Sequence, residues 1–249
     1  MSQFLYLQIK TKNQMRINTV RNHFSHHRID RYLIATSNNN RRAIRLYKHN
    51  LKISQSFYPI LSVLEIILRN KLNEKLSTHF SDPNWIINQK RGFMIDPALS
   101  YNHPRTGRRV NNHFIKESVE KSENKLNRAG IPLSPGKIIA DQSFSFWTEL
   151  FELTYYRILL GRPIQIFQHL PSTTSRVDIL NRLTKIRKFR NRISHYEPIC
   201  FNGNTIDFTE AINVYNTIIE LLNWIDPELV KFIKDLDQVN KKITSAMLV

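Results

Sequence analysis

Apolar residues recur at spacings of three and four along most of this chain, the period of helices buried along one face. Behind a polar cap at Asn38–Asn40, Ile44, Tyr47, Leu51 and Ser54 form one stripe, which resumes beyond Pro59 as Leu61, Leu64, Leu68, Leu72 and Leu76. The spacing predicts one long amphipathic stretch, kinked or broken near Pro59, where the proline ring removes a helical donor. From Asp82 to Arg109 the period fades, and Pro83, Gly92, Pro97, Pro104 and Gly107 punctuate the chain. That segment reads as a loop-rich insertion at about 82–111, with a short helix at Pro97–Tyr101.

Helical spacing returns over Asn112–Ala129 in a polar, charged helix. Another opens at Leu133-Ser134-Pro135-Gly136, carries Ile138, Ile139, Phe146, Trp147, Leu150, Phe151 and Tyr155 on one face, and ends at Gly161-Arg162-Pro163. Further helices are predicted from about Ser175 to His195 and from Thr209 to Trp224, with a tail helix from Glu228 to about Lys241. No stretch alternates apolar and polar residues, and there is no internal repeat. The predicted fold is an all-α helical bundle over residues 28–249, preceded by a basic N-terminal arm at 1–27.

Composition narrows the class. A chain of 249 residues with 41% hydrophobic residues can bury a real core, which excludes disordered and collagen-like chains. Its one cysteine, Cys200, excludes a disulfide framework and a cysteine zinc site, and reads as a buried inert thiol. The His residues show no metal-ligand spacing, so neither metal nor cofactor is expected. Near the N-terminus a short apolar patch, Phe4–Ile9, precedes Lys10 and Lys12, the reverse of a signal peptide's order. The longest apolar run, Phe57–Leu68, falls short of the roughly twenty residues a membrane span needs and contains Glu65 and Pro59. The expectation is a cytoplasmic protein without a membrane partner.

Charge changes the picture most. The formal net charge is +17, and residues 1–50 supply +9 of it, with ten Lys or Arg against Asp30 alone. Such an excess repels itself and points to a polyanionic partner, of which nucleic acid is the commonest; an anionic membrane surface or a generally basic proteome is the plainer alternative. The arm, with His23, His26 and His27 among its cations, is expected to contact RNA or to order only on binding it. The aromatic row Phe144, Phe146, Trp147 and Phe151 reads as core or dimer interface before base stacking. Gly136-Lys137 lacks the upstream glycine of a phosphate loop.

The segment Lys185–Ile199 carries the candidate chemistry. With about 100° per residue, Ile179, Leu183, Ile186 and Ile193 share a stripe, and Arg190 falls about 40° from Ile186 on the same side. A guanidinium there is either a structural ion pair or a phosphate-binding group. His195 follows five residues later, about 140° further round an ideal helix. Pro198 disfavours helix at Glu197, so His195 belongs to the last turn, where the helix dipole favours an imidazolium. A proton-exchanging His and a phosphate-neutralising Arg suffice to cleave RNA without metal, the 2′-hydroxyl attacking the adjacent phosphorus. The bare spacing is common: Arg21/His26 and Arg108/His113 repeat it. Arg190 is preferred because it lies in a long periodic helix with a stop behind it.

The run Arg190-Asn-Arg-Ile-Ser-His-Tyr-Glu-Pro-Ile199 resembles the R-N-x-x-x-H signature of the Abi-like (abortive infection) family within the HEPN superfamily. Leu46-Tyr47-Lys-His-Asn50, Leu64-Glu65-Ile-Ile-Leu-Arg69-Asn70 and Gly136–Trp147 are similar to further stretches of that family, in the same order over roughly residues 28–225. The resemblance implies a HEPN-type bundle, a homodimer that brings two motifs together, a metal-independent endoribonuclease and a toxin or anti-phage role. It assigns His195 as acid and base, Arg190 as the phosphate-stabilising residue and Asn191 as an orienting residue. Glu65 and Arg69 resemble its E-x-x-x-R element; alternatively they form a surface pair, or Glu65 pairs with Arg190. Lys185, Arg187, Lys188, Arg192, Arg41, Arg42 and Arg45 are the RNA-binding candidates. Some HEPN toxins carry a modifiable Tyr two residues after the His; here Glu197 holds that place, and this regulation is not expected. A partner antitoxin or a regulatory noncoding RNA fits the same reading. The rivals are a non-catalytic RNA-binding protein holding a regulatory RNA and an interaction module in which Arg190 is only an ion pair.

Overall fold

The computed structural model describes residues 15–102 and 104–249, and most of them are helical. Twelve α-helices follow one another among the described residues, with two short antiparallel hairpins. The helices are α1 (Ile17–Phe24), α2 (His26–Ala35), α3 (Asn40–Phe80), α4 (Trp85–Asn88), α5 (Phe114–Arg128), α6 (Pro135–Asp141), α7 (Phe144–Glu149), α8 (Leu153–Ile158), α9 (Arg176–Ser194), α10 (Thr209–Ile225), α11 (Pro227–Ile233) and α12 (Val239–Met247). Strand β1 (Ser100–Asn102) pairs with β2 (Arg109–Asn111), and β3 (Phe201–Asn202) with β4 (Thr205–Ile206). The all-α expectation therefore holds at the level of class.

The chain divides into two compact units. Of the described residues, those up to Tyr58 together with 192–213 and 238–249 make the first; those of 59–191 and 214–237 make the second. Of the predicted N-terminal arm, residues 1–14 lie outside the described residues; the remainder enters α1 and the start of α2.

Helix α3 runs without interruption from Asn40 to Phe80 with Pro59 inside it, so the predicted break is absent. Its register also differs from the predicted one. Leu51 is exposed, whereas Leu46, Asn50, Ile53 and Phe57 are buried, at helical spacing. This continuous helix contains an 18-residue window of mean hydropathy 1.3, long and apolar enough by composition to cross a membrane, and a third of that window is buried in the protein.

In the first unit Tyr32 packs edge-on against Tyr47 and Phe201, at 5.2 and 4.9 Å between ring centres, with Ile29, Ile53, Ile199 and Ile243 buried alongside. Cys200 is fully buried there, and burial pushes its thiol up to about 12, which makes it inert at neutral pH.

In the second unit Leu64, Leu68, Leu72 and Leu76 of α3 are fully buried or nearly so, each contributing about 1.5–3 kcal/mol of burial. The single aromatic helix predicted after Pro135 is three short helices, because α6 stops at Gln142 and α7 stops before Glu152, both in extended conformation. Its aromatic row lies in the core: Phe144, Phe146, Trp147 and Phe151 are buried, which removes them as base-stacking candidates. The predicted insertion is more ordered than its prolines suggest. It holds α4, three 3₁₀ turns, one of them at Pro97–Leu99, and the β1–β2 hairpin, and Trp85 and Phe93 anchor it in the core. The predicted tail helix is divided into α11 and α12.

Candidate nucleic-acid interface and Arg/His motif

The boundary between the units falls inside the Arg190–His195 motif, since Asn191 ends a segment of the second unit and Arg192 begins one of the first. In the second unit α9 buries Ile179, Leu183, Ile186 and Phe189. Phe189, not Arg190, completes the buried face. The Arg190 side chain keeps 41% of its surface exposed and lies 3.8 Å from the Glu65 carboxylate through its Nη2. Glu65 thus meets Arg190 and forms no ion pair with Arg69, four residues on; the Arg69 Nε is buried without a hydrogen-bond partner. Asn191, Lys185 and Lys188 are exposed. Arg187 is half-buried and opposes Glu149, whose carboxyl is raised by burial and held down in part by a hydrogen bond from Asn112 Nδ2 at 3.2 Å.

In the first unit α9 ends in a tight closing turn. The Tyr196 N–H donates to Ile193 O at 3.0 Å and the Glu197 N–H to Arg192 O at 2.9 Å, the paired bonds of a helix terminated by a left-handed residue. That residue is Tyr196, with φ of +57°, and His195 is the exposed C-cap before it. The turn is held from several sides. Arg28 of α2 donates to Tyr196 O, Arg192 donates to Pro198 O and pairs with Glu197 and Glu210, and Asn50 Oδ1 of α3 accepts from Ile199 N at 2.8 Å. Arg192, an RNA-binding candidate from sequence, is therefore committed to the turn.

Arg28 and Asn50 are residues that sequence reasoning overlooked. For Asn50 a signal existed: it is the polar member of the stripe Leu46, Asn50, Ile53 and Phe57, and a polar group on a buried stripe needs a partner.

The first unit also carries the cationic surface. Arg41, Arg45, Lys48 and Lys52 are exposed on α3 at positions i, i+4, i+7 and i+11, one face of the helix. None forms an ion pair among the described residues, and by helical rise they span about 16 Å. His49, beside them, is held below the ordinary imidazole range, first by burial and then by Lys52, Arg45 and Lys242. Three other cations of this unit are occupied: Arg21 pairs with Asp30, Arg31 donates to Gly203 O and stacks on Phe201, and Arg42 donates to Val249 O at 2.7 Å. Arg41 and Arg45 of the predicted set thus belong to the free row, Lys48 and Lys52 extend it, and Arg42 is tied to the C-terminus.

A cleft of about 960 Å³ in the second unit, between α5 and α6, is lined by Glu117, Lys121, Lys125, Arg128 and Asp141. Its charges are of both signs, with Lys125 paired to Asp141, and none of the candidate residues lines it. No group of three or more His, Cys, Asp or Glu among the described residues is placed to hold a metal ion. Comparison of the chain with family models, with curated proteins and with solved structures finds no match.

Proposed function

We propose that this chain is a metal-independent endoribonuclease of the Abi-like HEPN type, acting as a homodimer on RNA in the cytoplasm. The observation that carries the reading is His195, exposed at the capped end of α9 in the same unit that bears the unpaired row Arg41, Arg45, Lys48 and Lys52. A row of cations without acidic partners suits a phosphate backbone, because each contact releases condensed counterions. Anti-phage defence by a restrained toxin is the biological setting that the sequence resemblance suggests.

In the proposed reaction His195 takes the proton of a ribose 2′-hydroxyl, whose oxygen bonds to the adjacent phosphorus. The bond to the 5′-oxygen of the next nucleotide breaks, and that oxygen receives a proton from an imidazolium. The two motifs of a dimer would supply base and acid separately. Arg190 neutralises charge on the phosphoryl oxygens and Asn191 orients them. The products are a 2′,3′-cyclic phosphate and a free 5′-hydroxyl.

One observation favours a second reading. Arg190 already meets Glu65, so a chain that binds RNA through α3 without cutting it retains the same surface. Incubating wild type and His195→Ala with total RNA in excess chelator separates the two. Cleavage by wild type alone supports the nuclease; binding with a steep salt dependence and no cleavage by either supports the binding protein.

A further inference from the structure

Tyr196 occupies a backbone conformation that suits glycine and is costly for a bulky side chain, because Cβ crowds the carbonyl at positive φ. Its ring gains little burial in exchange, since 72% of the residue is exposed. Other helices here close in the same way with small residues, Ser37 after α2, Ser81 after α3 and Gly130 after α5. Leu160 after α8 is also bulky and exposed, so strain alone does not distinguish Tyr196. Three features together do. The side chain is aromatic, it directly follows the exposed His195, and its peptide is fixed at both ends, the N–H on Ile193 O and the carbonyl under the Arg28 guanidinium. A rigidly mounted, solvent-facing ring beside a phosphate-directed group has the form of a platform for a flat ligand.

We propose that Tyr196 is a base-binding residue of this site, stacking on an unpaired base next to the phosphate handled at His195. The inference rests on the reading of the chain as an RNA-directed protein. Duplex bases are already stacked on one another and offer no free face, whereas a single strand gives a base to an aromatic ring without regard to sequence.

The test uses the full chain, a ten-residue oligoadenylate and a duplex of equal length. Tyr196→Gly relieves the backbone, so its urea midpoint is expected to equal or exceed that of wild type. Its affinity for the single strand is expected to fall about five-fold or more, the loss of one stacked base, while duplex affinity stays unchanged. Tyr196→Phe and Tyr196→Trp should keep the single-strand affinity, and the indole of the latter should be quenched on binding. Tyr196→Asn, also tolerant of positive φ, provides the same comparison if the glycine variant folds poorly. Oligoadenylate affinity unaltered in both the Gly and Asn variants would overturn the stacking role while leaving the RNA reading intact. A wild type that binds neither probe would overturn both.

Discussion

Arg190 Nη2 lies 3.8 Å from Glu65 Oε2, linking α9 to α3 within the second unit through a pair that is partly exposed on both sides. Such a pair contributes at most about 1 kcal/mol to stability, because solvent screens it. If Arg190 serves phosphate, the carboxylate competes with RNA for it. Glu65→Gln is therefore expected to leave the urea midpoint nearly unchanged and to raise RNA affinity severalfold. Titration of labelled RNA against both proteins at one salt concentration checks this, and weaker binding by the variant would make Glu65 a supporting residue.

The row on α3 makes a quantitative prediction about salt. Arg45→Ala combined with Lys48→Ala removes two unpaired cations. The slope of log affinity against log salt for a single strand should become shallower by about 0.7 for each lost phosphate contact. Folding stability should stay within about 0.5 kcal/mol per site, since neither side chain is buried or paired. Filter binding across a salt series measures the first quantity and urea unfolding the second.

His49 reports on the same surface. Its imidazole is held low by burial and by Lys52, Arg45 and Lys242. A histidine whose folded value is depressed contributes stability above the unfolded value near 6.5, and loses it as pH falls through the lower folded value. Bound phosphate would offset the surrounding cations and raise the imidazole. NMR titration of the His49 ring with and without RNA should show that upward shift, and RNA affinity should rise as pH falls toward 6.

Glu149 shows the opposite sign. Burial raises its carboxyl, and the hydrogen bond from Asn112 only partly offsets this. A raised carboxyl keeps its full contribution below the unfolded value and loses it as pH rises through the folded value. Glu149→Gln retains an oxygen for Asn112 and removes the charge. It should be more stable than wild type at pH 7, by an amount that vanishes below about pH 4. Urea unfolding at the two pH values measures the difference.

Helix existence was legible in the sequence because periodicity reports burial directly, and the bounds of α9 and α10 follow it closely. Register within α3 was not. Leu51 fits an apolar stripe by type, but the stripe that is buried contains Leu46, Asn50 and Ile53, with Asn50 accepting from the distant Ile199 N–H. Pro59 reads as a break in isolation, although a long helix packed along its length can absorb one missing donor. At the candidate site Arg69 and Arg190 were both readable as partners of Glu65, and Arg190 is the one that meets it; helical geometry placed Arg190 too deep, since Phe189 takes the buried position. The clamps on the His195 turn, from Arg28 and Asn50, join residues more than a hundred positions apart; only Asn50, the polar member of a buried stripe, leaves a local signal, and it does not name the partner.

The end groups left on RNA test the central claim most directly. Wild type and His195→Ala are incubated with total RNA in excess EDTA, and the termini of any fragments are identified. The account predicts 2′,3′-cyclic phosphates and 5′-hydroxyls from wild type and none from His195→Ala, with RNA affinity of the two proteins agreeing within severalfold. Fragments with 3′-hydroxyl and 5′-phosphate ends, cleavage that chelator abolishes, or equal cleavage by His195→Ala would contradict it.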